Sequence, residues 1–110
     1  MTRAHGLKAW LVQRISAVYM AAYLIFFLMM LSAEAPHGFL EWRAFMTSPL
    51  MSITTLLLFA FLLIHAWVGM RDIAMDYLHG FKLRLTALCI IAAGLIAIGA
   101  WALLVMARAI

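Results

Sequence analysis

Charge along this chain is confined to short stretches, and the intervals between them are uninterrupted. Residues 15–33, 44–70 and 85–107 contain no Asp, Glu, Lys or Arg. Each interval reaches or exceeds the roughly 20 helical residues that span the hydrocarbon of a bilayer. Lipid offers no partner to open backbone N–H and C=O groups, and a chain this short cannot close a barrel, so the segments are read as helices. The breaks between them are explicit. Pro36-His37-Gly38 interrupts the chain after the first block. Ser48-Pro49 reads as a helix N-cap followed by proline in the first turn. Gly80 is the expected stop of the second helix, since glycine takes the left-handed turn that ends helices. The pattern predicts an all-α integral membrane protein with three transmembrane helices over about 12–33, 49–79 and 84–107, in one membrane-anchor domain covering 1–110. The second helix would then run roughly 46 Å at about 1.5 Å per residue, so its last two turns must emerge from the hydrocarbon.

Composition agrees: 69% of the residues are hydrophobic and 11% charged, where a soluble domain carries about a quarter charged residues. The first block is longer than the apolar core of a signal peptide, and Leu31-Ser32-Ala33-Glu34-Ala35 is a poor cleavage site, so it is read as a retained helix. That helix begins within about fifteen residues of Met1, leaving no transit peptide, which points to a bacterial inner membrane. A net charge of +4 invites a nucleic-acid reading, but the eight basic residues sit at helix ends rather than on one face. They report orientation instead. Arg3, Lys8 and Arg14 precede the first helix with no acid among them, and residues 71–84 hold three bases; the first loop holds two acids and one base. The positive-inside bias therefore puts the N-terminus in the cytoplasm and the C-terminus on the opposite side, with Arg108 dissenting. The single cysteine, Cys89, rules out an internal disulfide or a cysteine-ligated cluster within the chain and reads as a small apolar residue.

Candidate chemistry is sparse. His65 alone is an ionisable side chain well inside a span, about 9 Å of helix rise from Arg71. Such residues are costly in lipid and mark function by default. Four readings stand for it: haem ligand, proton relay, quinone contact, or a neutral histidine hydrogen-bonded to a neighbouring helix. Gly69, Asp72 and Asp76 follow at offsets of four, seven and eleven, near one helical face. A glycine one turn from a histidine leaves room for a flat macrocycle. The other histidines, His5, His37 and His79, lie outside the spans, so a haem with two protein ligands would draw its second from another chain. Asp76-Tyr77 pairs a hydroxyl able to donate to a quinone carbonyl with a carboxylate able to orient it or relay protons, or is an interfacial anchor beside a solvated acid. Arg14 is placed to bind a haem propionate or to snorkel to the surface. In the third helix, Ala93, Ala97 and Ala100, with Gly94 and Gly99 nearby, mark close packing against some neighbour.

Leu63-Ile64-His65-Ala66-Trp67-Val68-Gly69-Met70, followed by Asp76-Tyr77 and Leu83-Arg84-Leu85, resembles the small hydrophobic membrane anchor of succinate dehydrogenase. The upstream segment from Leu11 to Ala17 resembles that family's arginine segment before its first helix. The resemblance implies that His65 is one axial ligand of a b-type haem (the metal ligand of this chain), shared with a companion cytochrome b anchor subunit. It implies that Arg14 lies near the haem propionates, and that Tyr77 and Asp76 serve a ubiquinone site. Electrons would come from an iron–sulfur subunit, after a flavoprotein subunit oxidises succinate, and pass to the quinone pool of the respiratory chain. The chain would then be a non-catalytic part of an enzyme, without a dinucleotide fingerprint of its own. Two other readings are a proton-coupled transporter subunit with a His65–Asp76 relay, and a purely structural anchor without cofactor. The transporter reading meets the difficulty that no acid lies within the three apolar intervals.

Overall fold

The computed structural model describes residues 3–109, and side chains from Gly6 onward. Four helices follow in order: α1 (Arg3–Glu34), α2 (Gly38–Thr47), α3 (Pro49–Tyr77) and α4 (Phe81–Ala109). Three are long and apolar enough to cross a membrane, and no strand occurs among the described residues. The all-α, three-span expectation holds. The short α2 is additional: ten residues of what read as loop form a helix that buries Phe45.

The helix boundaries follow from local chemistry. Helix α1 ends with Ala35 in the left-handed region at φ 42°, its N–H bonded to the Leu31 carbonyl at 2.8 Å, and Pro36 prevents continuation. Ser48 joins α2 to α3 by serving both. Its hydroxyl donates to the Phe45 carbonyl at 3.0 Å, while its own carbonyl accepts the Ser52 N–H at 2.8 Å. Pro49 fills the first helical position, where no N–H is required. At the far end α3 stops at Tyr77, ahead of Gly80, with Leu78 extended as its C-cap. Gly80, at φ 95°, instead makes the corner that opens α4, and its carbonyl accepts the Arg84 N–H at 3.1 Å.

The three long helices form a layer with α3 in the middle, packed on α1 along one side and α4 along the other. The molecule measures 52 × 25 × 18 Å. Between α1 and α4, over α3, lies an open groove of about 550 Å³ bordered by Tyr23, Phe27, Leu58 and Trp101. Leu24, Ile25, Met29, Ile90, Ile96 and Leu103 all face outward, as suits helices in lipid.

The two seams of α3 differ in kind. Against α4 the contact is apolar and close: a Cβ on Gly99 would lie 2.8 Å from Leu63 Cδ1. Gly94 has open space, and Ala93 and Ala97 are exposed, so the stripe of small residues in α4 is turned away from α3. Against α1 the contact is polar and aromatic. Tyr19 donates to the Thr54 carbonyl at 2.7 Å, Tyr23 shares a 2.7 Å bond with Thr55 Oγ1, and Tyr19 stacks on Phe61 at 4.8 Å. Phe27, Trp42 and Phe45 continue this file onto α2, with centroids 5.8–6.4 Å apart.

The turn between α3 and α4 is closed by Arg84. Its Nε donates to the Leu78 carbonyl at 2.6 Å and its Nη2 to the Met75 carbonyl at 3.1 Å. Both acceptors belong to the carbonyls left over at a helix C-terminus, where a cation is also favoured by the dipole.

Two substitutions test this account. Gly99→Leu forces α3 and α4 apart and lowers stability by about 1–3 kcal/mol in equilibrium unfolding of the full chain in bicelles. Gly99→Ala is tolerated, because the Leu63 methyl rotates away. Arg84→Ala frees the last turn of α3 and lowers its local opening free energy by about 1–2 kcal/mol, seen as faster amide exchange at Leu78 than at residues in mid-helix.

Candidate functional site

His65 lies on the face of α3 that packs against α1, half-buried, with both ring nitrogens engaged. Nδ1 is 2.9 Å from Ser16 Oγ, and Nε2 is 3.3 Å from the Gln13 side-chain amide nitrogen. Ser16 and Gln13 are three residues apart on α1, so one turn of helix presents both to the same ring. Ser16 is fully buried, at 0% exposure, and its hydroxyl also lies 2.9 Å from the Gln13 backbone carbonyl, to which it donates. Gln13 carries a defect: its Oε1 is buried with no hydrogen-bond partner. A buried carbonyl in that state costs on the order of 1–3 kcal/mol. The amide is therefore held less well than the ring it faces.

The space beside Gly69, one turn beyond His65, is taken up in part by this same amide. A Cβ at Gly69 would sit 3.4 Å from Gln13 Nε2. In this chain alone the Gln13 side chain lies against Gly69.

These residues fit the haem that the resemblance implies. An iron ligand must be a neutral imidazole with one nitrogen held by a hydrogen-bond partner and the other able to reach the metal. Ser16 holds Nδ1, and the group in front of Nε2 is a weakly satisfied amide on a flexible side chain. A b-type haem, when bound, supplies one-electron redox chemistry, and His65 is the side chain of this set that would hold it.

The remaining candidates lie apart from the ring. Arg14 is exposed on α1, its guanidinium carbon 5.4 Å from the centre of the Trp10 ring. That stacking leaves the N–H edges available to an anion. Asp76 and Tyr77 form the last turn of α3, both exposed, Tyr77 to 76%. They are flanked by the two carbonyls that Arg84 binds, Met75 and Leu78. Asp72, which shares the His65 face by spacing, pairs with its neighbour Arg71 at 3.2 Å. His65 and Asp76–Tyr77 thus occupy one half of the layer, at separate levels: the histidine between helices, the acid and phenol at the surface end.

Sequence reasoning gave no role to Gln13, Ser16 or Arg84. Gln13 and Ser16 meet His65 across 52 and 49 residues of chain, a separation that no local pattern reveals. The available signal was that two polar side chains one turn apart stand at the edge of an apolar block.

Comparison with known proteins identifies the family. Residues 1–106 match the family described as succinate dehydrogenase/fumarate reductase transmembrane subunit. The chain is 33% identical over 96 residues to the succinate dehydrogenase hydrophobic membrane anchor subunit of Coxiella burnetii (strain RSA 493 / Nine Mile phase I), covering 84% of each protein. With three apolar helices to cross the bilayer, the chain belongs to the succinate dehydrogenase/fumarate reductase transmembrane subunit family and serves as a membrane anchor of that complex.

Proposed function

We propose that this anchor takes part in electron delivery to quinone, with His65 as one axial ligand of a b-type haem and Asp76–Tyr77 as part of a ubiquinone site. The observation that supports the first role most is the hydrogen-bonded state of His65. A histidine placed among helices only to satisfy its own polarity would have well-made partners at both nitrogens. Here one side is well made, and the other faces an amide with an orphaned oxygen. The companion cytochrome b anchor subunit would supply the second ligand, and Arg14 would offer its guanidinium to a propionate.

At the quinone site the residues of this chain bind and orient. Tyr77 donates its O–H to a quinone carbonyl, and Asp76 takes up or passes on a proton from water at the membrane surface. Quinone reduction consumes two protons, so a head group must meet water while its tail stays in lipid. The end of α3 satisfies both conditions, since α3 at 29 residues runs about 43 Å against roughly 30 Å of hydrocarbon. Electrons reach this site from the iron–sulfur subunit, which receives them from the flavoprotein subunit. The basic residues of α1 and of the α3–α4 turn lie at the same end of the layer as Asp76–Tyr77. That end faces the cytoplasm of a bacterial cell under the positive-inside bias.

A dithionite-reduced minus oxidised spectrum of the purified complex tests the haem role. The wild type gives a b-type α-band that is lost or displaced in His65→Tyr; a pure, intact complex without such a band overturns the assignment. The quinone role is tested separately. Tyr77→Phe lowers succinate:ubiquinone reductase activity about tenfold or more, the loss expected for one hydrogen bond worth roughly 1.4 kcal/mol in the transition state. Reduction of a water-soluble dye taking electrons upstream of the membrane stays unchanged. Equal quinone reductase rates in the two proteins would remove Tyr77 from the site.

A further inference from the structure

We propose that Ser16 is a positioning residue for the iron ligand: its hydroxyl accepts the Nδ1 proton of His65 and so turns the imidazole to the tautomer whose Nε2 binds metal. This rests on the haem reading of His65 given above.

The tautomer follows from a count of protons. A serine hydroxyl has one hydrogen to donate and two lone pairs to accept with. Ser16 donates that hydrogen to the Gln13 backbone carbonyl, 2.9 Å away and one turn back, the usual bond of a helical serine to its own backbone. Toward His65 Nδ1, also at 2.9 Å, only an acceptor lone pair is left. Nδ1 must then carry the ring proton, and Nε2 must present its lone pair. On the other side of the ring stands the Gln13 side-chain amide, 3.3 Å from Nε2, whose two ends can turn to suit either tautomer; the assignment rests on Ser16.

Two consequences follow. The metal-binding lone pair exists before any metal arrives, so coordination through Nε2 releases no proton and leaves the Ser16 bond intact. Gln13 holds the position only by a long, neutral contact while its own carbonyl goes unpaired, so it is the group that yields. Ser16 also tunes the ligand. An imidazole whose N–H is given to an acceptor is a stronger electron donor, which favours ferric over ferrous iron.

The experiment has two arms, chosen to separate this inference from the haem role itself. In the full-length chain without haem, ¹⁵N-labelled at histidine and held in micelles, the His65 spectrum shows a protonated, pyrrole-type Nδ1 and an unprotonated, pyridine-type Nε2. A protonated Nε2 overturns the proposal whether or not the complex binds haem. In the assembled complex, a redox titration followed at the haem band shows the midpoint potential moving positive in Ser16→Ala. In Ser16→Thr, which keeps the hydroxyl, it returns toward the wild-type value. A potential unmoved in Ser16→Ala removes the tuning role, and a shift of equal size in both variants reduces Ser16 to a packing residue. Should Ser16→Ala fail to assemble, the tautomer measured in the wild-type chain still decides the assignment. A wild-type complex lacking any haem band refutes the haem role alone, because the tautomer is read without it.

Discussion

Within a bilayer the hydrophobic effect that holds soluble helices together is absent, because a leucine is as well placed against an acyl chain as against another leucine. What joins α1 to α3 must come from hydrogen bonds and close packing, and here much of it comes from one polar file running from Gln13 to Tyr23. Gln13 and Ser16 meet His65, Tyr19 meets Thr54, and Tyr23 meets Thr55. Single bonds of this kind between membrane helices average about 0.6 kcal/mol and reach about 1.7, so the seam depends on their number and on the aromatic stacking between them. The candidate haem ligand is a member of that file. Two of the side chains that hold these helices together, Gln13 and Ser16, are also the ones in contact with that ring.

The opposite seam works differently and carries no chemistry. Gly99 lets α4 approach Leu63 without any polar group, and the helix pair is completed by Arg84 at the turn. Helix α3 is fixed on one side by hydrogen bonds and on the other by shape, and its C-terminal turn is tied down by Arg84. Asp76 and Tyr77 project from that anchored turn into the interface. For the quinone role proposed above such a support is an advantage, because less side-chain freedom remains to be lost on binding.

Much of this could be read from the sequence, for identifiable reasons. The three spans follow from the spacing of charge, and Ser48-Pro49 marks the start of α3 because proline and an N-cap are local requirements. Helix α2 is not legible in the sequence because Pro36, Gly38, Glu41 and Arg43 look like loop; its reason for folding, the packing of Phe45 and Trp42 against Phe27 of α1, lies in a contact distant in sequence. Gly80 was rightly a left-handed residue, but it serves the helix that follows rather than the one before. His65 and Asp76–Tyr77 were visible because ionisable groups stand out in an apolar chain. Ser16 and Gln13 did not stand out. A serine and a glutamine are ordinary at a helix end, and only the fold brings them to His65.

The layer formed by the three long helices exposes far more large apolar side chains than it buries. A side chain that touches only acyl tails is constrained in polarity and hardly at all in shape. Leucine, isoleucine, methionine and phenylalanine are there nearly interchangeable. Substitution there costs little, whereas the α1–α3 seam and the glycine facing Leu63 are constrained by geometry. Sequence change on the lipid-facing sides of these helices is therefore, on physical grounds, poor evidence of a change of role.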